Sequence, residues 1–137
     1  MYLRRIIALC AAAILSVSCS GGSGSGGGFG LIEFLESGQN NIPRNRQVRF
    51  RFSEPVATGQ DMFTRLKIQN VSADPGDSNF ARAQGFYLLN GELVVFTPRL
   101  PNKPDRSDAG FKEDGNYHVF LSGGPDGLQS SSGSTIP

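Results

Sequence analysis

Val48-Arg49-Phe50-Arg51-Phe52 alternates bulky apolar and cationic side chains without a break. Only an extended strand with one buried face satisfies that period of two, because a helix would scatter the same Phe and Arg residues around its axis. Leu66-Lys67-Ile68-Gln69 repeats the pattern, and Tyr117-His118-Val119-Phe120-Leu121 does so with Tyr117, Val119 and Leu121 inward and His118 outward. Residues 86–89 and 93–96 flank Asn90-Gly91, a pair whose tolerance of positive φ marks a hairpin; the turn type and the place of Glu92 stay open. Leu31-Ile32-Glu33-Phe34-Leu35-Glu36 fits both periods and is read as a strand. Thr58-x-x-Asp61 reads as a capping box for one helical turn through Met62 and Phe63, leading into the strand at Leu66. Residues 72–79 and 98–115 are rich in Pro, Gly, Asp and Asn and read as loops. Short strands, loops of this kind and no long helix predict an all-β antiparallel sandwich over residues 31–137.

The amino terminus speaks of address. Arg4 and Arg5 precede an uninterrupted apolar run over residues 6–15, and Ser16-Val17-Ser18 leads to Cys19. Ten residues rise about 15 Å as a helix, half of a ~30 Å hydrocarbon core, so the layout is a cleaved export leader over residues 1–18 and not a membrane span. Arg4-Arg5 lacks the later positions of a twin-arginine signal, which favours ordinary secretion. Leu15-Ser16-Val17-Ser18-Cys19 resembles the lipobox of bacterial lipoproteins, with Ser16 where the family usually has Leu. The resemblance implies cleavage between Ser18 and Cys19, palmitate-type diacylation of the Cys19 sulfur and acylation of the new amine. A plain secretory leader with an incidental cysteine is the alternative. Several acyl chains on one residue hold a membrane firmly, at about 0.8 kcal/mol per buried methylene. Ser20 after the cysteine points to the outer membrane or cell surface by the enterobacterial sorting pattern.

Cys19 and the stretch over residues 20–30, SGGSGSGGGFG, form a flexible tether of roughly 18 Å end to end. Gly22-x-Gly24-x-x-Gly27 matches a dinucleotide-binding spacing but lacks the strand before it and the helix after it. The 137 residues suffice for one domain, and 13 Lys+Arg against 12 Asp+Glu give +1. No bulk field therefore recruits nucleic acid, which export removes as a partner in any case. Losing Arg4 and Arg5 with the leader leaves 11 cations against 12 carboxylates, a net −1. Two Cys and one His exclude a Cys/His zinc cluster. If the cut falls before Cys19, as the lipobox resemblance implies, Cys10 leaves with the leader, Cys19 carries lipid and the mature chain holds no thiol pair.

Three motifs carry a further resemblance: Val48-Arg-Phe50-Arg-Phe52-Ser53-Glu54-Pro55-Val56, Val94-Val95-Phe96-Thr97-Pro98, and Gly115-Asn116-Tyr117-His-Val119-Phe-Leu121. In this order they resemble the bacterial Ig-like domain of the SbsA surface-layer type. The resemblance implies a seven-stranded Ig-like sandwich in a cell-envelope protein. In that family the Tyr-containing strand is followed by a loop like Gly123-Gly124-Pro125-Asp126-Gly127 and a last strand rich in Phe and Thr. Here a Ser/Gly tract follows instead, so the last strand is expected to be absent or vestigial, leaving an edge that natural sheets normally protect.

Candidate sites divide into chemistry and support. Arg44, Arg46, Arg49 and Arg51 fall within eight residues and offer either an anion or headgroup patch or, as the favoured reading, a solvated strand face with carboxylate partners. Glu54, a conceivable acid/base or calcium ligand, is read as a turn-forming acceptor of backbone N–H groups. Asp105, Asp108, Glu113 and Asp114, like Asp74 and Asp77, lack the spacing of a calcium loop. His118 faces outward with no nucleophile elbow in the sequence to serve. The expectation is a lipid-anchored, non-catalytic envelope module with no cofactor or metal. Its partners would be the membrane, through Cys19, and an envelope protein or glycan. Two alternatives stand beside it: a loop-based binder of glycan, protein or calcium, and an accessory domain of a longer extracellular enzyme.

Overall fold

The computed structural model describes residues 28–72, 76 and 82–137. The leader, Cys10, Ser18, Cys19, the glycines of the tether before Gly28, and Asp74 and Asp77 lie outside the described residues. The elements are β1 (Leu31–Phe34), β2 (Val48–Phe52), α1 (Met62–Arg65), β3 (Leu66–Asn70), β4 (Gly85–Asn90), β5 (Leu93–Pro98) and β6 (Tyr117–Leu121). Two antiparallel sheets result, one ordered β1-β2-β5-β4 and the other β3-β6. The chain is mostly β, as its alternation predicts, with six strands among the described residues where the resemblance implied seven.

The core lies between the sheets. Val48, Phe50 and Phe52 of β2, Val94 and Phe96 of β5, and Leu66, Ile68 and Tyr117 of the second sheet are all buried, while Arg49 and Arg51 point out. An unbroken chain of ring contacts crosses this core. Phe63 meets Tyr87 at 5.1 Å between centroids, Tyr87 meets Phe96 at 5.0 Å, Phe96 meets Phe111 at 5.8 Å and Phe111 meets Tyr117 at 4.8 Å. Tyr87 also donates its hydroxyl to the Leu66 carbonyl, joining β4 of one sheet to β3 of the other. Burial of the neutral phenol pushes its pKa well above the ordinary tyrosine value. Phe29, placed by sequence in the tether, is buried and stacks on Phe52 at 5.5 Å, and Gly30 exchanges hydrogen bonds with Ser53. Folded chain therefore begins before Leu31.

Local signals are shifted by a residue or more where side-chain chemistry decides. Asp61, not Thr58, caps α1, accepting the Phe63 N–H at 3.0 Å. In the β4–β5 hairpin Asn90 pairs with Leu93, so the two-residue loop is Gly91-Glu92. Gly91 has φ +61° and Glu92 is not among the positive-φ residues, the pattern of a type II′ turn. Buried Asn70 closes β3 by accepting from the backbone of Ser72 and of Asn116, which locks the entry to β6.

The segment after β6 contributes bridges, not a strand. Val56 pairs with Ser130 and Gln129 with Thr135. Leu128 is fully buried and Ile136 packs on the core, so this vestige is nonetheless fastened. Arg65 donates to the Gly127 carbonyl and Gln60 to the carbonyl of Gln129. No helix among the described residues is long and apolar enough to cross a membrane.

Candidate binding surface

The outer face of the four-stranded sheet carries the residues that the sequence marks for binding. Register sets them in rows: Glu33 beside Arg51, Leu93 and Asn90; Arg49 beside Val95 and Leu88; and Thr97 beside Phe86. The half built by β1 and β2 is charged, and the half built by β5 and β4 is apolar.

On the charged half the carboxylate partners are specific. After β1 the chain turns over residues 35–38 and brings Glu36, 1% exposed, back against β2. Its Oε2 accepts the Arg49 backbone N–H at 2.8 Å, and its Oε1 accepts Arg49 Nε and Nη2 at 3.2 Å each. Arg46 Nε stands 3.9 Å from the same Oε1. The carboxylate thus continues the ladder where the backbone has turned away, and its charge is matched by a forked guanidinium. Arg51 pairs with Glu33 at 3.6 Å, both groups about half exposed, an arrangement worth about 0–1 kcal/mol. The cationic strand face is therefore a supported face, as the favoured reading holds.

A cleft opens beside it. The loop at Pro43–Gln47 and the chain leaving β5 enclose a cavity of about 670 Å³ lined by Arg46, Arg49, Thr97 and Leu100. A neighbouring cavity of about 380 Å³ is lined by Arg44, Arg99 and Arg106, and a third of about 620 Å³ by Gln84, Phe86 and Asn102. Leu100, 62% exposed, borders all three. Sequence reading placed it inside an undifferentiated loop, and only the fold reveals it as the shared wall.

What holds Leu100 out is a three-way backbone interlock. Arg99 N–H donates to the Gln84 carbonyl at 2.9 Å, Gln84 N–H to the Gly110 carbonyl at 3.1 Å, and Gly110 N–H to the Arg99 carbonyl at 2.8 Å. A Cβ on Gly110 would lie 2.1 Å from the Gln84 carbonyl oxygen, so only glycine fits this crossing.

The loop carboxylates serve the same end. Asp108 accepts the N–H groups of Asn102 and Lys103 at 3.0–3.2 Å and lies 3.7 Å from Arg99 Nη2. The Asn102 N–H is the main cause of its lowered pKa. Asp105 accepts the Ser107 N–H at 3.1 Å, which lowers its pKa in turn. No group of three or more metal-ligating side chains occurs among the described residues. Glu54 takes the Ser132 hydroxyl at 2.6 Å, where sequence reading expected backbone N–H groups, and so helps pin the segment after β6. His118 is half-buried on β6 opposite Gln69, its ring 6.2 Å from Phe120.

Compared with known proteins, the chain matches no family model, no curated protein and no solved structure. The geometry of this surface therefore carries the functional argument.

Proposed function

We propose that this chain is a lipid-anchored cell-envelope lipoprotein whose β-sandwich is a non-catalytic, Ig-like module with a structural, adhesive or assembly role. One observation carries the reading. The side chains best suited to chemistry are engaged in structural hydrogen bonds: Glu36 holds the backbone of Arg49, Asp108 that of Asn102 and Lys103 and Asp105 that of Ser107, while Glu54 takes the Ser132 hydroxyl. The export leader, the lipobox-like residues ending at Cys19 and the Gly/Ser stretch support the anchor, and the ordered strand motifs support the Ig-like assignment.

Cys19→Ala tests the anchor. Metabolic labelling with a fatty acid should mark the wild-type chain and not the variant, and the variant should migrate as the larger, unprocessed form. Equal labelling of both forms would overturn the lipobox assignment.

A second reading, that the module binds an anionic glycan or protein segment, is favoured by the cleft itself. Arg44, Arg46, Arg99 and Arg106 surround an exposed leucine there, a combination that fits a carboxylate-bearing ligand with an apolar part. Under this reading a carboxylated polysaccharide at a hundred times its dissociation constant stabilises the protein by about 2.7 kcal/mol. Leu100→Asp should abolish the resulting rise in melting temperature. An unchanged rise in that variant would exclude the cleft.

A further inference from the structure

We propose that the three cavities around Leu100 form one binding site for an acidic oligosaccharide in which a neutral sugar lies between two uronates. The proposal deepens the second reading of the cleft and rests on it, choosing the glycan over the protein segment and setting the order of its residues.

The cavities are joined. Pro43 and Asn45 line both the cavity of about 670 Å³ and that of about 380 Å³. Thr97 and Pro98 are common to the first and to the third, of about 620 Å³, and Arg99 is common to the second and the third. Leu100 is a central post between three lobes, each adjoining both others, and its exposed apolar side chain suits the C–H faces of sugars wound round it.

Their linings differ in charge. Arg46 and Arg49 line the first lobe, and Arg44, Arg99 and Arg106 the second, with neither lysine nor carboxylate in either lining. Glu36 serves Arg46 and Arg49 together, while Asp108 reaches Arg99 in a lobe that also holds Arg44. Both lobes thus keep a cationic character in guanidinium form, whose fork matches a carboxylate. The third lobe is of another kind. Phe86, 57% exposed, lines it with Gln84, Thr97 and Asn102, and Arg99 on the wall shared with the second lobe is its one charged residue. A pyranose ring has a C–H face that packs on an aromatic ring and a rim of hydroxyls that pair with side-chain amides, which both donate and accept. The neutral lobe adjoins both cationic lobes, so a uronate, a neutral sugar and a second uronate fill the three in sequence.

The backbone of the walls argues against a peptide. An extended segment binds by adding to an open ladder, but the N–H groups of Arg46, Arg49, Gln84, Arg99 and Asn102 all donate within the chain. Pro43, Pro98 and Pro101 have none to offer. Recognition in this cleft therefore falls to side chains, and the interlock of Gln84, Arg99 and Gly110 holds them in place before a ligand arrives.

Calorimetric titration of the full-length chain tests the site with four probes. These are a hyaluronan oligosaccharide, in which glucuronate alternates with N-acetylglucosamine, its carboxyl-reduced form, an oligogalacturonate of equal length and an oligoglutamate of equal charge. The hyaluronan oligosaccharide should bind most tightly, with oligogalacturonate and oligoglutamate several-fold weaker. The carboxyl-reduced form should be weaker by at least about tenfold, the scale of one lost bond to a charged group. Phe86→Ala and Asn102→Ala replace exposed side chains, and the Asn102 N–H that Asp108 accepts is retained. With unfolding profiles unchanged, each should abolish the preference for the alternating oligosaccharide over oligogalacturonate. Arg44→Gln with Arg46→Gln should weaken both acidic oligosaccharides. Equal affinity for the two, or a preference that survives Phe86→Ala, would overturn the neutral lobe; if Leu100→Asp then abolishes binding of both, the cleft itself still stands. Oligoglutamate binding as tightly as hyaluronan would favour the protein segment and reject the glycan. Binding of none of the probes, or binding indifferent to Leu100→Asp, would remove the cleft and this proposal with it.

Discussion

Replacing Phe96 with alanine is expected to lower the unfolding free energy by about 3–5 kcal/mol, the range for emptying a core phenylalanine site. Phe96 is 1% exposed and stands at the centre of the ring chain, in contact with Tyr87 on one side and Phe111 on the other. Its removal leaves the Phe63–Tyr87 pair without its connection to Phe111 and Tyr117. The two lost aromatic contacts, each worth about 0.5–1.5 kcal/mol beyond area, place the effect toward the upper end. The surroundings are poorly able to collapse into the void. Tyr87 is tied by its hydroxyl to the Leu66 carbonyl, and Tyr117 by its hydroxyl to the Lys112 N–H at 2.7 Å. For a domain of this size the melting temperature should fall by at least about 12 °C. Phe96→Leu keeps much of the volume and should cost less than half as much. Thermal and urea unfolding followed by circular dichroism measure both variants. A loss below about 1.5 kcal/mol for the alanine variant would mean that the ring chain is not a stabilising unit.

The same residue shows how far sequence reaches. Phe96 was legible as core because it lies in an apolar run ahead of Pro98 and follows a hairpin signal, both local facts. The inward sets of β2, β3 and β6 were legible for the same reason: alternation is a property of neighbours along the chain. What escaped was decided by neighbours across space. Asp61 displaces Thr58 as the cap because its own oxygen reaches the Phe63 N–H, two residues on. The hairpin signal left the place of Glu92 open, and the loop settles on Gly91-Glu92 because the register of β4 on β5 pairs Asn90 with Leu93. Leu100 becomes a cleft wall only through the crossing of Gln84, Arg99 and Gly110, whose chain separations carry no periodic trace. Phe29 looked like tether because glycines surround it, yet Phe52 offers it a buried partner.

Glu36 is the clearest case of such non-local determination, and its replacement is the second large effect. In the sequence it ends an ambiguous apolar run; in the fold its carboxylate accepts one backbone and two guanidinium N–H groups of Arg49 from an almost fully buried position. Glu36→Ala removes all three hydrogen bonds at once. It leaves a β2 amide and a partly buried guanidinium unsatisfied, for a loss of about 2–4 kcal/mol, where an unmade bond to a charged group costs more than the made bond contributes. Glu36→Gln retains an oxygen for one of the donors but turns an N–H pair toward the others, so its loss should be similar and not intermediate. The double variant Glu36→Met, Arg49→Met removes both charges together. It should recover about 1–2 kcal/mol of the single-variant loss, because the penalty of the orphaned charge disappears. The single variant Glu36→Met separates an ion-pair role from simple packing: if Glu36 only filled space, Glu36→Met alone would be near wild type and the added Arg49→Met would lower stability further, whereas an orphaned charge makes the double variant more stable than Glu36→Met alone. Urea unfolding of the four variants against wild type decides between these outcomes.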